Sequence, residues 1–250
     1  MTRAAIVTGG GTGIGRAAAL ALHRDGHRIV IAGRRPEPLQ RVQEEIGETC
    51  EIHVGDIREP EVADALIDLC LDRHGSVDVL VNNAGGQFVA RAEDISPNGW
   101  AAVRRLNLDA PWYLTQQAAK RWMIPNGGGR VVSVVLCPTR GIPGMAHSSA
   151  ARAGVSALTN VLSVEWGRYG ISVTAVAPGW IDTEGIRQYD TDLESVAAGI
   201  PLGRLGRPEE VGDLIAFLAS DRGAYITGQT IVIDGALSQA MPGPFGQLPE

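Results

Sequence analysis

The stretch 4-AAIVTGGGTGIGRAAALALHR-24 decides the fold of this 250-residue chain. Its first five residues, 4-AAIVT-8, form a continuous apolar run of strand length, and an alanine-rich helical pattern follows the glycines. Glycines let a turn take positive φ and bring backbone N–H groups close to a pyrophosphate at a helix N-terminus. Gly9, Gly13 and Gly15 carry that pattern, with Gly11, Thr12 and Ile14 among them. A glycine-rich turn by itself also serves plain packing, but the strand before it and the helix after it point to phosphate binding.

Working outward, six more short apolar runs alternate with longer helical patterns: 28-RIVIA-32, 51-EIHV-54, 78-DVLV-81, 130-RVVSVV-135, 171-ISVTAV-176 and 230-TIVID-234. These runs do not alternate apolar with polar, as expected for strands covered on both faces. Helices are predicted over 13–25, 37–46, 60–74, 97–123, 147–168 and 208–219, the last starting at Pro208 with Glu209 and Glu210 in its first turn. Strands alternating with helices make a parallel sheet with right-handed crossovers. The expectation is a doubly wound parallel α/β sheet of Rossmann type, seven strands with helices on both faces. One domain would span 1–250, with the Pro/Gly-rich 241-MPGPFGQLPE-250 as a flexible tail or an arm onto a neighbour.

Composition narrows the function classes. A formal net charge of −6 argues against nucleic-acid or anionic-membrane partners, which need clustered positive charge. No apolar run approaches the ~20 residues of a membrane span. The start, 1-MTRAAIVTGG-10, lacks a basic-then-apolar-then-small layout, so a cytoplasmic protein is expected. Cys50, Cys70 and Cys137 are scattered without CxxC, and the histidines form no HExxH, so neither a disulfide framework nor a metal site is expected. Lys120 is the only lysine, a bias that reflects genome composition more often than chemistry.

The end of the second strand bears on the nucleotide. An acid there accepts hydrogen bonds from a ribose 2′-hydroxyl, whereas arginine accommodates a 2′-phosphate. The segment 30-VIAGRRP-36 offers Arg34 and Arg35 and no acid, which favours NADP(H) over NAD(H). The bland alternative is that two arginines merely solvate a loop.

From residue 4 to about 238 the chain resembles the short-chain dehydrogenase/reductase family. The family's TGxxxGIG is 8-TGGGTGIG-15, its NNAG is 82-NNAG-85, and its helix asparagine is Asn107 in 106-LNLDAP-111. Its PG turn is 178-PGWIDT-183, and its closing pattern is 227-TGQTIVIDGA-236. The resemblance implies that Asp56, with Ile57 beside it, faces the adenine. It implies that Asn82, Asn83, Ala84 and Gly85 support the ribose side. Pro178, Gly179, Ile181 and Thr183 would then lie at the nicotinamide end. It also implies a homotetramer or dimer, packed through the long fourth and fifth helices and the C-terminal strand.

The family's Tyr-x-x-x-Lys pair is where this sequence departs. Aligned on 152-RAGV-155, Ser148 stands at the tyrosine and Arg152 at the lysine, while Val135 or Leu136 falls at the upstream serine. No Tyr-x-x-x-Lys exists elsewhere, because no tyrosine lies four residues before Lys120. Arginine is no proton relay, and serine is too weak an acid to protonate an alkoxide, although both can donate to an oxyanion or a ribose. That suits hydride addition to a C=C bond conjugated with a thioester, where charge appears as an enolate. The runs 82-NNAGGQF-88 and 147-HSSAARAGV-155 are similar to the peroxisomal trans-2-enoyl-CoA reductases. They are less close to the 2,4-dienoyl-CoA reductases, which keep a loop tyrosine and the lysine where this chain has Cys137 and Arg152.

The expected centre is therefore Asn107, Ser148 and Arg152, with His147 as a helper; its side chain should point ~100° from the Ser148–Arg152 face. Trp180 would pack beside the nicotinamide or in the core. The lid-like segment 181-IDTEGIRQYDTDLESVAAGI-200 is acidic, with Arg187 as its one cation, which counts against a polyphosphate-bearing acyl-CoA; Tyr189 is its one candidate acid or donor. Three functions stay open: an NADP(H)-dependent reductase of an activated C=C bond, a family relative without redox activity (nucleotide scaffold or sensor, or a cyclase or isomerase), and a carbonyl reductase using His147 or Tyr189.

Overall fold

A computed structural model describes residues 3–137, 141–187 and 191–240. The seven predicted runs are all strands: β1 Ala4–Thr8, β2 Arg28–Gly33, β3 Cys50–Val54, β4 Val79–Asn82, β5 Gly129–Val134, β6 Ile171–Pro178 and β7 Thr230–Ile233. They form one parallel sheet in the order β3-β2-β1-β4-β5-β6-β7. Among the described residues eight α-helices join them: α1 Gly13–Arg24, α2 Pro36–Ile46, α3 Pro60–His74, α4 Pro97–Arg104, α5 Ala110–Ala118, α6 Ala146–Trp166, α7 Leu193–Ala198 and α8 Pro208–Ala219.

The unbroken apolar strands are explained by two cores, one on each face. Ala5, Val7, Ile29, Ile31, Val79 and Val81 pack with Leu22 of α1, Leu39 of α2 and Ile215 of α8. Their strand neighbours Ala4, Ile6, Val30 and Leu80 point the other way, onto Leu66 of α3, Leu114 of α5 and Leu162 of α6. Successive strand residues alternate between faces, so a strand with both faces covered must be apolar throughout. Helices α1 and α8 cross so closely that a Cβ on Gly212 would stand 2.7 Å from the Ala17 backbone.

Two local features were not predicted. The expected helix over 97–123 is interrupted by π-helical turns at Arg105–Asp109 and Ala119–Met123. Pro111 has no N–H to give the Asn107 carbonyl four residues earlier, and the Ala110 N–H bonds Arg105 instead. The short α7 lies in the lid-like segment, where Asp192 caps it by accepting from the N–H groups of Glu194 and Ser195.

Candidate active site

Strand order reverses at β1, which pairs with β2 on one side and β4 on the other; ligands bind at such switch points. The ends of β1 and β4 are stitched together there. Thr8 Oγ1 accepts from the N–H groups of Asn83 and Ala84, and Asn83 Nδ2 donates to the Thr8 carbonyl at 2.9 Å. Beyond Thr8 the glycine turn uses positive φ at Gly9 (66°) and Gly13 (52°), and a Cβ on Gly15 would overlap the Gly9 carbonyl. The N-cap Thr12 makes no capping bond and the first turn of α1 holds no acid, so its leading N–H groups remain available to an anion.

A cleft of about 560 Å³ opens over this turn. Its walls include Gly9, Gly11, Thr12, Gly13, Ile14 and Gly15; Arg34, Arg35, Asp56 and Ile57; Asn83, Ala84 and Gly85; and Arg152, Gly179, Ile181 and Thr183. An uncapped helix N-terminus over glycines fits a dinucleotide pyrophosphate, and the volume lies in the ordinary range for cofactor pockets. Two expected residues stand elsewhere. Pro178 ends β6 in register with Ile233, and Asn82 turns under the sheet to donate to Thr115 Oγ1 at 2.8 Å.

Charge is distributed unevenly around this cleft. Arginines outside it mostly sit against carboxylates, as in Arg16–Glu45, Arg24–Asp213, Arg73–Glu51 and Arg204–Glu210. Among the described residues, the three lining it, Arg34, Arg35 and Arg152, form no ion pair. The acid on its wall, Asp56, is already bound by Arg58 at 2.5 Å, which holds its carboxyl below the usual carboxylate range. A cleft in an acidic protein is thus lined by free positive charge.

The expected centre separates into two parts. The π-helical turn puts Asn107 opposite Gly86, where the two exchange hydrogen bonds of 3.1 and 3.0 Å; Asn107 Nδ2 also donates to Ser148 Oγ at 3.2 Å. His147 makes an edge-on contact with the Phe88 ring, the ring centres 4.3 Å apart. Its Nδ1 accepts from the Ser148 N–H at 2.8 Å, which places the proton of a neutral ring on Nε2, and Nε2 is buried without a partner among the described residues. Asn107, His147 and Ser148 are 3%, 1% and 0% exposed, and none of them lines the cleft.

Arg152 alone of the four does line it. Its Nη1 donates to the Val134 carbonyl at the end of β5, Nη2 lies against Gly85, and Nε is buried without a partner among the described residues. Burial pushes the guanidinium down to about 10, which leaves it charged at neutral pH. Sequence reasoning missed Gly86, Phe88 and Val134. Two of these act through backbone groups, which residue type does not reveal, and the third through a contact that only the folded loop creates.

Other candidates fall away or move. Val135, at the upstream serine position, is buried in β-type pairing with Val176, and Ser133 faces Asn82 beneath the sheet. Burial pushes the thiols of Cys50 and Cys70 up to about 12, so neither is a nucleophile. Trp180 lines a smaller neighbouring cavity with Leu202 and Glu210. In the lid-like segment Asp182 is held by Arg187 at 2.8 Å and Asp192 is the α7 cap, so two of its acids have structural roles. Tyr189 and the tail 241–250 lie outside the described residues.

A doubly wound sheet with a glycine turn at its switch point defines a dinucleotide-binding protein, and the comparisons specify which kind. Residues 9–238 match the family described as Enoyl-(Acyl carrier protein) reductase. The chain is 38% identical to a probable 2,4-dienoyl-CoA reductase of Bacillus subtilis over 93% of its own length and 95% of that protein's. A short-chain dehydrogenase from Bacillus anthracis superposes with a TM-score of 0.88 at 36% identity, covering 97% of this chain and 98% of that one. The actinorhodin polyketide ketoreductase, solved with NADPH, superposes with a TM-score of 0.90 at 30% identity, covering 95% and 97%. The chain belongs to the short-chain dehydrogenase/reductase family, a family of oxidoreductases that bind a nicotinamide cofactor. No described helix is long and apolar enough to cross a membrane.

Proposed function

We propose that this protein is an NADP(H)-dependent reductase of an activated C=C bond, such as that of a 2-enoyl thioester. The observation that carries the reading is a complete nucleotide cleft beside a centre that holds serine and arginine rather than a tyrosine–lysine pair. The similarity to a probable 2,4-dienoyl-CoA reductase supports the same bond type. The glycine turn would hold the pyrophosphate, Arg34 and Arg35 the 2′-phosphate, and Asn83 to Gly85 with Arg152 the nicotinamide ribose. When bound, the cofactor supplies the hydride. The oxyanion that hydride addition creates forms at the centre built from Asn107, Ser148 and Arg152, with His147 as their neighbour.

Stopped-flow NADPH oxidation with a short 2-enoyl thioester tests the reading, and absence of turnover with every activated alkene tried would sink it. For the nucleotide, Arg35→Ala should weaken NADPH binding roughly 10-fold, the size of one lost charge-assisted hydrogen bond, and change NADH binding little. Equal losses for both would remove the preference for the 2′-phosphate.

A second reading is favoured by the closure of Ser148 and His147, neither of which reaches the cleft. In it the protein binds nucleotide without redox turnover. Restoring the pair, as Ser148→Tyr with Arg152→Lys, distinguishes the two: newly gained carbonyl reduction would mark a retired reductase.

We also infer a homotetramer or dimer. The outward face of α6 is an apolar stripe of Ala150, Ala153, Ala157, Val161 and Val164 at helical spacing, and Val164 is 82% exposed.

A further inference from the structure

We propose that Arg152 is the counter-charge for the enolate oxygen of the substrate, with Asn107 and Ser148 as the positioning layer behind it. This rests on the reading of the protein as a reductase of activated alkenes and assigns the oxyanion its holder within that site. Ser148 is the residue at the tyrosine position, yet it is fully buried and its oxygen is engaged by Asn107. Arg152 is the one member of the centre on the cleft wall.

Three observations bear on its role. First, the guanidinium is held rather than free: Nη1 is tied to the Val134 carbonyl, and Nη2 rests in the space that a Cβ on Gly85 would take. Second, it has no carboxylate within ion-pair distance among the described residues, and its Nε is buried without a partner. A partly buried charge left unpaired is costly, and such charges are ordinarily matched by an opposite one. Third, burial lowers its affinity for its proton only to about 10, so the charge persists across the working pH range. The free protein thus keeps a fixed cation waiting for an anion that is not part of the protein.

The chemistry follows from that fixed charge. Hydride adds to the β-carbon of the conjugated alkene, the C=C electron pair shifts towards the carbonyl, and the oxygen becomes an enolate beside Arg152. The enolate then collapses to the carbonyl, its α-carbon taking a proton from water. No protein acid is consumed, so the arrangement serves an enolate, which is protonated at carbon. It does not serve the alkoxide of ketone reduction, which needs a proton at oxygen at once.

The test compares Arg152→Gln, Arg152→Lys and the unaltered protein in kinetics and in calorimetric titration, with NADPH affinity measured for each. Steady-state kinetics with a 2-enoyl thioester should show kcat lower by roughly 100-fold or more in Arg152→Gln, the cost of one lost oxyanion donor. KM for the alkene should change by less than about threefold, and Arg152→Lys should recover part of the rate, because the loss is confined to the transition state. The kcat of the unaltered protein should stay flat with pH through neutrality. The second measurement is calorimetric titration with but-2-enoate, whose planar carboxylate stands for the enolate: bound by the unaltered protein and by Arg152→Lys, and not by Arg152→Gln. Unchanged kcat in Arg152→Gln overturns the proposal. So does a loss of NADPH affinity that accounts for the whole fall in rate, which would make Arg152 a cofactor residue only. If the unaltered protein turns over no alkene, the reading of the function fails by itself. The charge assignment is then decided by calorimetry: it stands as an anion subsite if but-2-enoate binding depends on residue 152, and falls if the unaltered protein does not bind it.

Discussion

Gly85 shows how tightly the centre is specified at the scale of one residue. The sequence marks it as part of NNAG, but the structure gives the reason for a glycine there: any Cβ would overlap Arg152 Nη2 and approach Asn107 Oδ1 at 3.2 Å. Gly85→Ala should therefore displace the guanidinium and lower turnover at least 10-fold, the scale of a misplaced catalytic group, while leaving the circular dichroism spectrum unchanged. Full activity in that variant would show that Arg152 can move without consequence. The candidate site was only partly legible at this scale. Side-chain types identified Arg152, Ser148 and Asn107, and motif position brought out most of the cleft wall. Residue type could not show that Ser148 and His147 are buried away from the cleft, because that follows from the folded loop, where Phe88 meets His147 edge-on and Gly86 bonds the Asn107 that holds Ser148.

At the scale of elements, strands and most helices were legible because local pattern and tertiary burial agree. The seven apolar runs are strands within a residue or two of their predicted bounds, since both faces of the sheet are covered. The interruptions near Asn107 were not foreseen, although Pro111 carries the signal: a missing N–H four residues after a carbonyl. Helix α8 offers a clean energetic test. Glu210 accepts from the Arg207 N–H at 2.8 Å and from both terminal nitrogens of Arg204, which together bring its carboxyl down to about 2. A carboxyl depressed by folding contributes stability that is complete above its ordinary pKa and is lost as pH falls towards the folded value. Glu210→Gln keeps an acceptor for the Arg207 N–H but removes the charge facing Arg204, and should cost roughly 0.5 kcal/mol at neutral pH, a fall of about 1–2 °C in Tm. The difference between variant and parent should close between about pH 4.5 and pH 2. A Tm difference independent of pH would mean that packing, not charge, explains the loss.

For the whole molecule, the separation of charge is the feature that ties fold to function. In a chain of net charge −6, the three arginines on the wall of the cleft that the sheet topology opens, Arg34 and Arg35 near β2 and Arg152 on α6, form no ion pair among the described residues. Assembly belongs to this scale too. Val164→Glu puts charge on the exposed stripe of α6, and light scattering should show a smaller particle than the parent; an unchanged mass would place the interface elsewhere. The central claim is that hydride goes to carbon of a C=C bond and not to a carbonyl. The most direct measurement is product analysis after NADPH-dependent turnover of a conjugated enone such as cyclohexenone, which offers both bonds to the same centre. The saturated ketone is the expected product; the allylic alcohol would contradict hydride transfer to the C=C bond.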